Sequence, residues 1–290
     1  MRHEKRYVLL GAAVAVLGTL GFLTLVGLRH PPSPPVASPS VSPPPVSPPK
    51  AKALTNEALA GVFVVLDPGH GGVDPGTTAG PISEAALSYR TASELAASLK
   101  AQGANVVYTV RSHCLNPALA LSEPPLKRPT DAVMAATGVP LRLRHSPLPL
   151  WQRADTARRI WVQRLRTDPA AARDVFFLSL HFDQFHADTV HGGIVCVDRR
   201  CLPIPNFARA LAAQMAQGNL SRPEDFHGIR GLAGRELGVL DPKYNPVPEK
   251  ALLELATLSN PQNAAEAGDA AWRGELVRRI TLAITQTHQH

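Results

Sequence analysis

Between Gly61 and Val110 the sequence passes through a short apolar run, GVFVVLD, a loop rich in glycine and proline, a segment of helical period and a second apolar run, ANVVYTV. A strand, a helix and a strand in that order close as a right-handed crossover with the two strands parallel. Ser83 supplies the helix N-cap, and Gly103 stops the helix. Leu87, Leu95 and Leu99, with Thr91 between them, recur at about helical spacing and mark the face turned to the core. The unit predicts an α/β fold, a mostly parallel twisted sheet flanked by helices.

The rest of the chain extends that sheet. DVFFLSLH predicts a third strand, GGIVCVD a fourth and ALLELA a fifth. Helices are expected over LWQRADTARRIWVQRLR, over residues 205–217 and, as one amphipathic segment, from Ala264 to the carboxy terminus. Residues 112–149, rich in proline and without a clear period, and residues 218–245, polar with glycines, read as surface excursions, with regulatory elements that cover the cleft as the alternative. With 290 residues, 44% of them hydrophobic, the chain can bury one substantial core.

The amino-terminal part has a different character. Residues 7–28, YVLLGAAVAVLGTLGFLTLVGL, form an uncharged run long enough to cross a membrane as a helix. Arg2, Lys5 and Arg6 precede it, so residues 1–30 are expected to form a cytoplasmic tip and a signal-anchor, with the remainder on the far side of the cytoplasmic membrane. A cleaved signal peptide is the alternative, although the apolar run exceeds an ordinary signal-peptide core and no A-x-A site follows it. Residues 31–56 read as a linker, since PPSPPVASPSVSPPPVSPP has too little apolar surface to fold and favours an extended polyproline form. Residues 57–290 are then the functional domain.

The net charge of +7 suits an anionic polymer or a membrane surface, and no nucleic-acid module is present. Cys196 and Cys201 flank VDRR and are close enough in sequence to close a small loop in an oxidising compartment, whereas Cys114 has no evident mate. Three cysteines so spaced do not make a zinc site.

Three predicted strands end on residues able to do chemistry: VVLDPGH on His70, FFLSLH on His181, and ALLEL carrying Glu254. Glu84 opens the crossover helix, whose amino end lies at the same sheet edge. In an open α/β sheet the ligand crevice lies beyond the carboxyl ends of the strands, which brings these four together. Two histidines and a glutamate are a known ligand set for a hydrolytic zinc ion, here His70, Glu84 and His181, with Glu254 left to act as a base. Glu84 also suits a helix amino terminus without any metal. Glu254 is harder to account for otherwise, because a carboxylate in a buried strand is costly unless paired or functional. His186 and His191 follow His181 at five-residue intervals, which suits contact with solvent or substrate better than ligation. Asp67 reads either as a partner of a metal-bound histidine or as a turn-former before Pro68-Gly69.

The segments VVLDPGHGGVDPGTTAG, SEAALSYRTASELAASLK, FLSLHFD and LLELATLSNP, in this order over about residues 61–285, resemble the zinc-dependent N-acetylmuramoyl-L-alanine amidases of the amidase-3 type. The resemblance implies a catalytic domain that binds Zn2+ through His70, Glu84 and His181 and uses Glu254 as catalytic residue. Its substrate would be peptidoglycan, cut at the amide between N-acetylmuramic acid and L-alanine of the stem peptide. It also implies structural roles for Arg153 and for the turn Ser259-Asn260-Pro261, and leaves room for a protein activator that opens the cleft. Departures from the family pattern are Ala85-Ala86 after the glutamate ligand, Phe182 after the third ligand, expected beside the metal, and a last motif without its usual glycine and phenylalanine. Two other readings are a catalytically inactive, amidase-like wall-binding or regulatory protein, and a zinc peptidase cutting within the stem peptide. The expected location is the cell envelope, as a periplasmic or extracytoplasmic domain anchored through the amino-terminal helix, or secreted if that helix is cleaved.

Overall fold

Alternation along the first strand sets up the two layers of the domain. In β1 (Phe63–Pro68), Val64 and Leu66 enter one core while Val65 enters another on the opposite face. The computed structural model describes residues 57–71, 74–112, 133–135, 148–184 and 189–290. The predicted anchor and linker, and Cys114 and His186, lie outside the described residues.

The central sheet has six strands: β1, β2 (Asn105–Tyr108), β3 (Val175–Asp183), β4 (Ile194–Asp198), β5 (Leu232–Arg235) and β6 (Glu249–Thr257). Their spatial order is β5-β4-β6-β3-β1-β2. β2, β1, β3 and β6 run parallel, and β4 and β5, parallel to each other, run against β6. The sheet is mostly parallel, as the βαβ reading requires. Helix α1 (Glu84–Lys100) crosses from β1 to β2, with Leu87, Thr91, Leu95 and Leu99 all buried. It packs on the same face as α3 (Asn206–Gln217) and α5 (Ala270–His288), while α2 (Leu148–Thr167) and residues around Val239, Leu240 and Val247 cover the other.

Four expectations from sequence are revised. The run ANVVYTV does not continue as one strand, because the Thr109 hydroxyl donates to Asp67 Oδ1 and bends the chain out of β2. Residues Val110–Ser112 instead pair with Val133–Ala135, so the excursion after β2 contains a short ladder. The carboxy-terminal helix is two: α4 (Pro261–Gly268) is capped by Asn260, and α5 restarts where the extended Asp269 accepts from the Trp272 N–H. Residues 218–245 are not only surface, since β5 forms a sheet edge there and Val239 and Leu240 are buried.

The fourth revision bears on the site. Phe182 is 1% exposed and its ring lies in the core shared with Leu66, Leu180 and α1, on the face opposite His181. Period-two alternation requires this, because neighbours in a strand point to opposite faces. Its ring therefore does not crowd the site. The expected outcome is that Phe182→Ala destabilises the fold by about 3 to 5 kcal/mol, read from urea unfolding.

Candidate active site

The corner after β1 is built by a buried ion pair. Asp67 is 1% exposed and accepts from Thr109, from Ser179 of β3 and from Arg153 Nη1 at 2.8 Å. The Arg153 guanidinium also donates to the carbonyl oxygens of Pro68 and His70, the latter at 2.7 Å. His70 has a φ of 56°, a left-handed conformation unfavourable for a residue with a Cβ. Arg153 holds the carbonyls on either side of that strain in place. Asp67 thus neither touches a histidine ring nor serves simply as a turn residue: it anchors the arginine that shapes the loop.

Glu84 sits at the centre. Its Oε1 lies 3.0 Å from His70 Nε2 and 3.0 Å from His181 Nδ1, and it accepts from the Phe182 N–H at 3.0 Å. The Thr77 N–H donates to Oε2 at 2.9 Å. The two imidazoles approach edge to face, with centroids 5.0 Å apart. One ligand atom from each of His70, Glu84 and His181 falls within 4.8 Å of the others. Glycines make this closeness sterically possible. A Cβ on Gly69 would lie on the His181 ring, and one on Gly76, whose φ is +66°, would strike Glu84 and His70.

His70 Nδ1 lies 3.1 Å from Asp74 Oδ2. A carboxylate on the far nitrogen of a histidine fixes its tautomer, leaving the Nε2 lone pair directed at the site. Asp74 was not among the residues expected from sequence; its one signal there is an acid four residues after a histidine in a glycine-rich loop. Two imidazoles and one carboxylate converging on a common point, one of them oriented by a second acid, is a donor set that suits a zinc-type ion.

Electrostatics separate the two glutamates. Burial would raise the Glu84 carboxyl, yet hydrogen bonds and charge from His181 and His70 hold it well below the ordinary carboxylate range. Burial likewise lowers the His70 imidazole, and Glu84 and Asp74 outweigh it, so that its pKa is raised.

Glu254 pairs across the ladder with His181, which places both side chains on one sheet face. Its side chain keeps partial exposure, while Oε2 is enclosed and has no hydrogen-bond partner among the described residues. Burial, with Asp183 and Glu84 nearby, outweighs His181 and pushes its pKa up to about 7. A carboxylate so placed is a proton acceptor poised near neutrality. Beyond Glu254 the ladder register shifts, and Asn260 accepts from the N–H groups of Gln262 and Asn263, fixing the turn that follows β6.

The remaining expectations resolve away from the site. His191 lies 3.1 Å from Glu266 and takes no part in the cluster. Cys196 and Cys201 are both free, and burial pushes the Cys196 thiol up to about 12, which makes it unreactive. Among the described residues no helix is long and apolar enough to cross a membrane.

A family model described as N-acetylmuramoyl-L-alanine amidase matches residues 64–286. Similar solved structures include the catalytic domain of CwlV, an N-acetylmuramoyl-L-alanine amidase of Bacillus (Paenibacillus) polymyxa var. colistinus, at 20% identity and TM-score 0.53, covering 79% of this chain and 98% of that one. An N-acetylmuramoyl-L-alanine amidase of Clostridium difficile 630 aligns at 18% identity and TM-score 0.54, over 81% and 98% of the two chains. The CwlD amidase of Clostridioides difficile, solved in complex with the GerS lipoprotein, aligns at 18% identity and TM-score 0.51, over 79% and 98%. No curated protein matches the sequence.

The raised Glu254 pKa has a consequence for stability. An acid whose folded pKa lies above its unfolded value costs nothing below about pH 4.5, destabilises progressively as pH rises from there to the folded value of about 7, and holds that full cost above it. Metal-free Glu254→Gln is therefore expected to be more stable than the metal-free parent at pH 8, by about 2 kcal/mol, with the gain gone at pH 4. Thermal melts of chelated protein at the two pH values check it.

Proposed function

The chain belongs to the N-acetylmuramoyl-L-alanine amidase family and is an amidase of peptidoglycan, and we propose that it is a zinc enzyme cutting the bond between N-acetylmuramic acid and the L-alanine of the stem peptide. The single observation that carries the zinc reading is the convergence of one ligand atom from each of His70, Glu84 and His181 within 4.8 Å. These residues would hold the ion, with Asp74 orienting His70. Bound there, zinc supplies Lewis acidity toward the amide carbonyl and toward water near neutral pH.

The chain's own groups supply the proton chemistry. Glu254, with an enclosed and unpartnered Oε2, accepts a proton from the attacking water as the new C–O bond forms. It then delivers that proton to the alanine nitrogen as the C–N bond breaks, leaving a free lactyl carboxylate on the sugar and a free amino group on the peptide. Glu84, held ionised by its imidazole neighbours and two backbone N–H donors, stays a ligand and does not compete for the proton. The presence of Glu254 in this form favours a catalytic protein over an inactive, wall-binding relative.

The polymer lies outside the cytoplasmic membrane, so the domain acts there, and we assign residues 7–28 as its anchor on the strength of their uncharged length. A protein partner that modulates the site is part of the same reading, supported by the lipoprotein complex of the CwlD relative.

Purified protein is expected to release stem peptides with free L-alanine amino termini from sacculi, and a chelator abolishes the release. Glu254→Gln keeps stoichiometric zinc and loses at least a thousandfold in turnover, whereas His70→Ala loses zinc and activity together. Mass spectrometry of the digests with metal analysis reads all three. New amino termini on other stem residues would instead identify a peptidase, and normal activity in Glu254→Gln would remove the mechanism.

Asp74→Asn should keep the fold and weaken zinc about 10- to 100-fold, measured by competition with a fluorescent chelator.

A further inference from the structure

Helix α2 has work on two faces. Arg153 and Ala157 turn inward, while Trp151, Asp155, Arg158 and Arg159 lie at i, i+4, i+7 and i+8 and share an outer face. The Trp151 indole remains 37% exposed. It stacks on the Tyr244 ring, with centroids 4.9 Å apart and planes inclined by 24°. Lys243 Nζ lies 5.2 Å from the Tyr244 centroid. These groups, with Gln152, line a cavity of about 600 Å³. A second cavity of about 340 Å³ shares Arg158 and Arg159 and continues along the helix to Arg166.

The groove is cationic and its cations are held. Asp155 accepts from Arg158 Nε at 2.9 Å and from Arg159 Nε at 2.5 Å, so one carboxylate fixes two guanidiniums that are about half exposed or more. Lys243 adds a third positive charge, leaving the first cavity with an excess of two. Gln152 adds a side-chain amide to the wall of the same cavity.

A flat, exposed indole fringed by donors and an acceptor suits a pyranose ring, whose C–H face packs on the aromatic surface while its hydroxyl and amide groups reach the rim. Guanidinium forks suit carboxylates. Two residues from Trp151, Arg153 holds the His70 carbonyl at 2.7 Å, so the helix end that carries the platform also carries the corner of the catalytic site. Hydrolysis of the lactyl amide leaves one new carboxylate on each processed sugar. We propose that the α2 groove binds glycan strands already stripped of stem peptide, stacking a sugar ring on Trp151 and pairing the freed lactyl carboxylates with Arg158 and Arg159. The identity of the polymer rests on the peptidoglycan reading of the site. On this assignment the enzyme is retained on strands it has just stripped.

The test uses the full chain carrying Glu254→Gln, titrated by calorimetry with peptide-free glycan strands and, as a neutral comparison, N-acetylglucosamine oligomers. Strands should bind at least tenfold more tightly than the neutral oligomers. Trp151→Ala should weaken both at least tenfold, with Trp151→Phe recovering most of the loss. The exposed pair Arg158→Gln/Arg159→Gln should weaken strands alone and flatten their salt dependence. Unchanged strand binding in both Trp151→Ala and the arginine pair overturns the proposal. So does capture by phosphatidylglycerol vesicles that depends on the same residues in a protein with no affinity for strands, which would make the face a membrane surface. Hydrolysis of sacculi by the parent chain is scored separately: its absence with intact Trp151-dependent strand binding sinks the amidase reading alone, and the reverse sinks the groove alone.

Discussion

The buried pair between Arg153 and Asp67 is the constraint on which the site depends. A guanidinium 5% exposed and a carboxylate 1% exposed are costly to remove from water, and the cost is offset because both carboxylate oxygens accept hydrogen bonds and both terminal guanidinium nitrogens donate them. The partners are spread over the fold: Thr109 after β2, Ser179 in β3, and the carbonyls of Pro68 and His70 at the end of β1. One arginine thereby locks α2, three neighbouring strands and the strained histidine into a single arrangement. Breaking such a pair from one side leaves an uncompensated charge and costs about 3 to 5 kcal/mol, and here the loss falls first on the His70 corner.

Much of this was legible in the sequence because it follows from strand termini. His70, His181 and Glu254 each sit where an apolar run ends, and the rule that ligands gather beyond the carboxyl edge of a parallel sheet needs no atomic detail. Glu84 was legible because a helix that follows such a strand must start at the same edge. Asp74 was not, since it acts from a loop with no period, through a ring nitrogen whose direction depends on the left-handed turn at His70. Phe182 was placed beside the metal by adjacency in sequence, and the alternation of the strand removes it to the opposite core. The break between α4 and α5 was hidden because Gly268-Asp269 interrupts an otherwise continuous amphipathic pattern with a cap, not a proline. Strand β5, only four residues with a glycine inside, carries too little hydrophobic alternation to announce itself.

The two glutamates show how one pocket gives like groups unlike tasks. Glu84 is surrounded by donors: two imidazoles and two backbone N–H groups converge on its oxygens, and these overcome the burial that would otherwise neutralise it. Glu254 enters the same space from β6 with one oxygen enclosed and, among the described residues, without a hydrogen-bond partner, so burial decides and its pKa rises to about 7. The difference comes from topology. Glu84 lies at a helix start facing a loop, where N–H groups are unspent. Glu254 lies inside a ladder whose backbone donors are already committed to β3 and β4. A strand interior therefore leaves a carboxylate short of donors, and a helix start supplies them. The fold places one acid in each setting on the same edge, and this separates the permanently ionised ligand from the group that can take up and release a proton near neutral pH.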